Sequence, residues 1–213
     1  MSKGHTVEMP STHSIAGTLS ANLAGSRTAP WLQATGIVLA GSALAAVCAH
    51  VAVPLYFTPV PLTLQPFAVL LLGLMLTPRM AGATFAAYLL EGAIGLPVFA
   101  PSLTAPSGLA HLIGPTGGYL LAYPLAAMLI SSLWRSTGRG FATALISAAV
   151  GDIAILASGA LWLAALPHLA ARPAFTLAVL PFLPGDALKI AAAASIAAGF
   201  LRLRHVTNYS QPL

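Results

Sequence analysis

The chain carries four acidic residues, and three of them, Glu91, Asp152 and Asp186, lie in or beside long apolar runs. An ionisable group at the centre of a membrane helix costs about 2.5–3.5 kcal/mol on insertion scales, so it marks a site or a buried partner. Asp186 and Lys189 stand at i and i+3 of LPGDALKIAA, on one face of a helix. They can neutralise each other and do nothing more. Alternatively, the carboxylate accepts hydrogen bonds from ligand N–H groups while the ammonium attracts a carboxylate or completes the same network. Glu91 in YLLEGAIGLP and Gln65 in TPVPLTLQPF each fall at the end of an apolar segment. In GPTGGY, Thr116, Gly117, Gly118 and Tyr119 form a helix entry. The glycine pair permits close backbone approach there, and the first N–H groups of a helix can meet a polar or anionic ligand group. Asp152 in AAVGDIAILA has no ionic partner in the neighbouring sequence, and His50 and His111 carry no assignable role. Phe99, Tyr119, Tyr123 and Trp162 suit either an apolar wall for a ligand or anchors at a membrane interface.

These residues must be held by elements that live in lipid. Of 213 residues, 58% are hydrophobic and 6% charged, and the mean hydropathy is +0.88, far from the soluble range. The expected fold is all-α: six transmembrane helices in a compact bundle. Each span needs about 17 to 25 mostly apolar residues to cross ~30 Å of hydrocarbon. Candidate spans run from about Trp31 to Val53, Leu62 to Thr77, Arg79 to Ile94, Pro115 or Thr116 to Trp134, Phe141 to Leu166, and Pro184 to Leu203. The second and third are short for a full crossing. Residues 1–30 lack the apolar core of a secretory signal and read as a flexible tail; 31–204 form the membrane domain and 205–213 a second tail. The lone Cys48 excludes an internal disulfide and reads as packing.

The net charge of +5 comes from scattered basic residues, with no Lys or Arg run that could track phosphates, so nucleic acid is not an expected partner. Charge reports topology instead. With six helices and both termini cytoplasmic, Lys3, Arg27, Arg79, Arg135, Arg139, Arg202 and Arg204 all fall inside; Arg172 alone lies in an external loop, and Lys189 lies within a helix. The external connections are then Pro54–Pro61, Gly95–Gly114 and Pro167 to about Leu183, richer in proline and glycine than the internal ones. Backbone that leaves the helix at membrane depth must be buried in protein or line a polar cavity. Gln65, Glu91, Asp186, Lys189 and GPTGGY gather on that same side. Gly41, Ala45 and Ala49 recur every four residues in the first span, a small-residue stripe that admits a second helix from this chain or from a partner. The chain has no phosphate loop, no H-E-x-x-H zinc pair and no G-x-S-x-G elbow. Neither metal chemistry nor enzyme activity is expected.

Four ordered motifs, PLYFTPVPLTLQPFAVLLLGLMLTPRMAG, YLLEGAIGLPVFAP, GPTGGYLLAYPLAA and LPGDALKIAAA, resemble BioY, the biotin-specific substrate-capture subunit (S component) of energy-coupling factor transporters. The similarity runs from about Ala43 to Ala198 and is weakest in the fifth span. It implies a high-affinity external biotin pocket capped by loops, to which Asp186 and Lys189 belong, with Phe99 and GPTGGY in its wall. It also implies that the small-residue face of the first helix, Gly41, Ala45 and Ala49, meets the transmembrane coupling (T) subunit, with ABC-type ATPase subunits completing the assembly in a bacterial inner membrane. Biotin is then the transported ligand and no cofactor is expected; self-association is compatible with the same stripe. The asparagine that some members place beside the ureido ring has no counterpart in APSLTAPSG, which leaves Glu91 or Gln65 as its substitute. Another vitamin, a biotin precursor, or a structural subunit without a ligand are the alternatives.

Overall fold

The computed structural model describes residues 29–101, 108–166 and 176–209, with side chains up to 203. Two compact units divide the chain, Met1–Gly36 and Ile37–Leu213; of the first, the described part is the opening of helix α1. Helices dominate. They are α1 (Pro30–His50), α2 (Gln65–Met75), α3 (Pro78–Ala93), the single turn α4 (Leu109–Leu112), α5 (Gly117–Ser136), α6 (Phe141–Ala165) and α7 (Leu183–Tyr209). A helical turn at 176–179 leads into α7. Four helical stretches among the described residues are long and apolar enough to cross a membrane: Pro30–His50, Gly117–Ser136, Phe141–Ala165 and Thr176–Leu203.

The second and third expected spans are short, as their sequences suggest. With 11 residues at about 1.5 Å each, α2 extends only ~16 Å. It starts three residues later than expected because Leu62 and Thr63 pair antiparallel with Ala52 and Val53 as strands β2 and β1. The same pairing ends α1 at His50 instead of Val53. Pro66 and Pro78 sit in the first turns of α2 and α3, where a missing N–H costs nothing, and Thr77 caps α3 by accepting from the Met80 amide at 3.4 Å.

Inside the larger unit, α5 packs on α6, α3 and α2, while α7 packs on α2 and α6. One core cluster joins Phe85, Tyr88, Tyr119 and Tyr123 around the upper half of α3 and α5. A second uses Leu70, Leu74, Ile130 and Trp134 against alanines of α6 and α7. The alanines let helix axes approach closely where lipid supplies no hydrophobic drive. Leu125, Ile146, Ile153, Leu161 and Leu188 face outward, the reverse of a soluble protein and the arrangement a bilayer requires.

The small-residue stripe of α1 is filled from within the chain. Ala45 and Ala49 are fully buried, and a Cβ on Gly41 would lie 2.7 Å from Thr84 Cγ2 of α3. Within the chain the three positions are covered, with Thr84 of α3 against Gly41, the first of the two occupants that the stripe admits.

Candidate functional site

A cavity opens where β2, α2, α5, α6 and α7 converge. Its floor and one wall come from α7. Asp186 begins that helix, its amide donating to Phe182 O at 2.8 Å, and one turn later Lys189 Nζ donates to Asp186 Oδ1 at 2.8 Å. Both side chains are more than nine-tenths buried. The pair is thus a desolvated, charge-assisted contact on a cavity wall, the setting in which ionic groups interact most strongly.

On the facing side, α2 contributes Gln65. Its Nε2 donates to Tyr88 Oη at 2.5 Å, and Tyr88 in turn donates to Val98 O at 2.9 Å. Thr63 bridges to Gln65 from β2, its hydroxyl donating to Gln65 Oε1 at 3.3 Å. The polar end of Gln65 is consequently oriented before any ligand arrives. From α5 come Tyr119, whose hydroxyl donates to Ala178 O at 2.7 Å, and Tyr123, buried in the aromatic cluster through an edge contact with Phe85. Phe182, Val60, Leu120, Ile155 and Leu156 complete an apolar lining. The cavity therefore offers apolar walls with a few fixed polar groups among them, suited to a ligand with an aliphatic body and small hydrogen-bonding groups.

Of the residues singled out from sequence, Gln65, Thr116, Tyr119, Asp186 and Lys189 line this cavity. Phe99, Gly117, Gly118 and Glu91 stand behind it or apart from it. Phe99 stacks on His111, ring centroids 5.1 Å apart, and meets Tyr88 edge-on. A Cβ at Gly117 would overlap the Leu112 carbonyl, and one at Gly118 would overlap Trp162. These glycines serve helix contact: Trp162 Nε1 donates to Gly114 O at 3.0 Å and Ser158 Oγ to Gly118 O at 2.8 Å, stitching the start of α5 to α6. The amides of Gly117 and Tyr119 already donate to Gly114 and Thr116 carbonyls, so packing, more than anion capture, explains this segment. Glu91 accepts a hydrogen bond from Ser42 Oγ, linking α3 to α1.

Three further polar residues line the cavity: Thr63, to which the sequence gives no role, and His111 and Asp152, which it singles out without fixing their task. His111 sits in α4 and is 4% exposed; burial holds its pKa below the ordinary value and keeps it neutral. Asp152 is equally buried. Its position in an apolar run was the signal, but no spacing in sequence joins α6 to α7. Residues 102–107 and 167–175 of the two expected capping loops, Arg172 among them, lie outside the described residues.

The profile of the BioY family matches residues 19–205. The chain is 39% identical over 163 residues to the Biotin transporter BioY of Thermotoga maritima, covering 76% of this chain and 90% of that one. It is 35% identical over 182 residues to Biotin transporter BioY2 of Lactococcus lactis subsp. cremoris, covering 84% and 96%. The probable biotin transporter BioY of Pyrococcus horikoshii is 42% identical over 139 residues, 65% of this chain and 79% of the relative. Among solved structures, the crystal structure of the S-component for biotin from an ECF-type ABC transporter superposes with a TM-score of 0.72 and 25% identity, covering 82% of this chain and 92% of that chain.

Proposed function

The chain belongs to the BioY family, and from that premise we propose that it captures biotin in the cavity between α2, α5, α6 and α7. It is a multi-pass membrane protein, a transport component and not an enzyme, and biotin is its substrate. The observation that carries the pocket assignment is the buried Asp186–Lys189 pair, 2.8 Å apart on the cavity wall. An ion pair that served only to make α7 insert would have no reason to border a cavity lined by the oriented Gln65 and Tyr119.

Biotin matches the lining part by part. Its ureido ring presents two N–H donors and a carbonyl acceptor, for which Asp186 and Lys189 are complementary, with Gln65 as a further polar neighbour. Its bicycle and valeryl chain are apolar, like Tyr119, Tyr123, Phe182 and Leu156. Thr116, at the entry to α5, is assigned to the carboxylate end. Glu91, Phe99, Gly117 and Gly118 shape the site indirectly, through α1, His111 and α6. Charge-assisted hydrogen bonds of ~1.5–3 kcal/mol apiece, added to apolar burial, suffice for nanomolar binding.

The wider assembly follows from the same reading: a transmembrane coupling subunit and a pair of ABC-type ATPases drive release, in a bacterial cytoplasmic membrane. Both termini are cytoplasmic, with the membrane domain over 31–204 between tails of 1–30 and 205–213. Calorimetric titration of the purified chain with biotin tests the proposal. Saturable one-to-one binding is expected; no heat and no thermal stabilisation by biotin would refute it. Competition by dethiobiotin, which keeps the ureido ring, and failure of competition by thiamine or riboflavin would separate biotin recognition from a general vitamin site.

A further inference from the structure

Asp152 is the buried ionisable group that the site so far leaves without a task. It lines the cavity and is 4% exposed. Its Oδ1 is, among the described residues, the buried side-chain polar atom that has no hydrogen-bond partner. A buried acceptor left open is costly, and native chains retain one where something else completes it. The charged and titratable groups that line the cavity with it are Asp186 and Lys189 of α7, Tyr119 and Tyr123 of α5, and His111 of α4. Lys189 already donates to Asp186, and Tyr119 donates to Ala178. Because α6 packs directly on α7, Asp152 approaches the ion pair from the opposite helix.

We propose that Asp152 is a ligand-binding residue whose Oδ1 accepts one of the two ureido N–H groups of biotin, the other going to Asp186 and the ring carbonyl accepting from Lys189. The edge of a cyclic urea reads donor, acceptor, donor. A carboxylate, an ammonium and a second carboxylate read acceptor, donor, acceptor, and the cavity wall holds those three groups on two packed helices. With Gln65 Oε1 already accepting from Thr63 and Nε2 donating to Tyr88, a single Asp–Lys pair would leave one ureido N–H without a charged acceptor in a desolvated site, which specificity arguments treat as a large penalty. Asp152 removes it. This assignment rests on the biotin reading above.

The experiment is a protein–ligand cycle on the purified full chain, using biotin and its two analogues singly methylated on one or the other ureido nitrogen. Asp152→Ala is expected to weaken biotin binding roughly ten- to a hundredfold. It should also shrink the penalty of the methyl group at one ring nitrogen and not at the other, because only one N–H meets Asp152 and the shorter side chain makes room there. Asp152→Asn, which keeps an acceptor oxygen, should recover most of the affinity, whereas Asp152→Leu, of similar volume and without an acceptor, should fold and lose affinity as Asp152→Ala does, so it carries the test should Asp152→Ala prove unstable. Unchanged biotin affinity in Asp152→Ala or Asp152→Leu would overturn the assignment, as would a loss of equal factor against biotin and both analogues, the mark of a purely structural acid. Absence of biotin binding by the wild-type chain would instead overturn the biotin reading and this assignment together.

Discussion

Asp186 and Lys189 have two tasks that mutagenesis can pull apart. Removing one partner leaves the other charge buried and uncompensated, a cost of about 3–5 kcal/mol, whereas replacing both with apolar residues of similar volume is commonly neutral. Asp186→Leu alone and Lys189→Met alone should therefore lower the melting temperature, and Asp186→Leu/Lys189→Met together should restore it. All three should lose biotin binding by at least about a hundredfold, since each deletes a charge-assisted ligand contact. A double variant that melts like wild type and still binds would reduce the pair to an insertion device. His111 gives a second residue-scale expectation. Its pKa is depressed by burial, so the folded chain holds fewer protons than the unfolded chain around the ordinary imidazole range. Its stabilisation is present above that range and lost as pH falls through it toward the depressed folded-state pKa. The melting temperature should decline over that interval, and His111→Gln should flatten the decline; an identical slope in the variant would show that another group titrates. In both cases the sequence marks the residue by its polarity within oil. It names Asp186 and Lys189 as partners because they share a helix face, but the same polarity at His111 and Asp152 points nowhere, since their neighbours come from other elements.

At the scale of elements, helix lengths were readable from apolar run length, and α3, α5 and α6 fall within two residues or so of their expected bounds. What run length cannot show is a local competitor for the backbone. The two-residue ladder β1–β2 takes Ala52, Val53, Leu62 and Thr63 out of helices whose hydrophobicity they would have served well. Nor does a small-residue stripe say which helix fills it. In α1 it is α3, with Thr84 against Gly41. Gly41→Val should accordingly destabilise the isolated chain, by the ~1–3 kcal/mol typical of overpacking, seen as a lower melting temperature in detergent without any partner present. A variant that melts normally alone yet fails to assemble with a coupling subunit would return the stripe to the partner interface. The outward face of α1, with Leu44 and Val47 exposed, is unaffected by that substitution and serves as the control surface. The same logic explains GPTGGY: its glycines are legible as a close approach, but only the packed helices reveal that Trp162 and Leu112 approach them.

For the whole molecule, the arrangement of charge around the bundle is the quantity that decides function, because a capture site for an external vitamin must open away from the cytoplasm. The connection between α1 and α2 lies beside the cavity: Val60 and Pro61 line it, and Tyr56 in the same stretch is fully exposed. The link between α5 and α6 lies at the other end of α5 and carries Arg139, with Arg135 one turn before it. Positive-inside segregation then predicts Tyr56 outside and the α5–α6 link inside. Cys48, the single cysteine, is buried, so a Cys48→Ala background leaves a clean chain for labelling. In intact cells a membrane-impermeant maleimide should modify Tyr56→Cys and spare Ser136→Cys; after permeabilisation both should react. Biotin added beforehand should slow labelling at a cysteine placed at Val60, on the cavity rim, without slowing it at Tyr56. Labelling of Ser136→Cys in intact cells would invert the molecule, turn the Asp186–Lys189 cavity toward the cytoplasm, and make uptake from outside the wrong account of what the bundle is built to do.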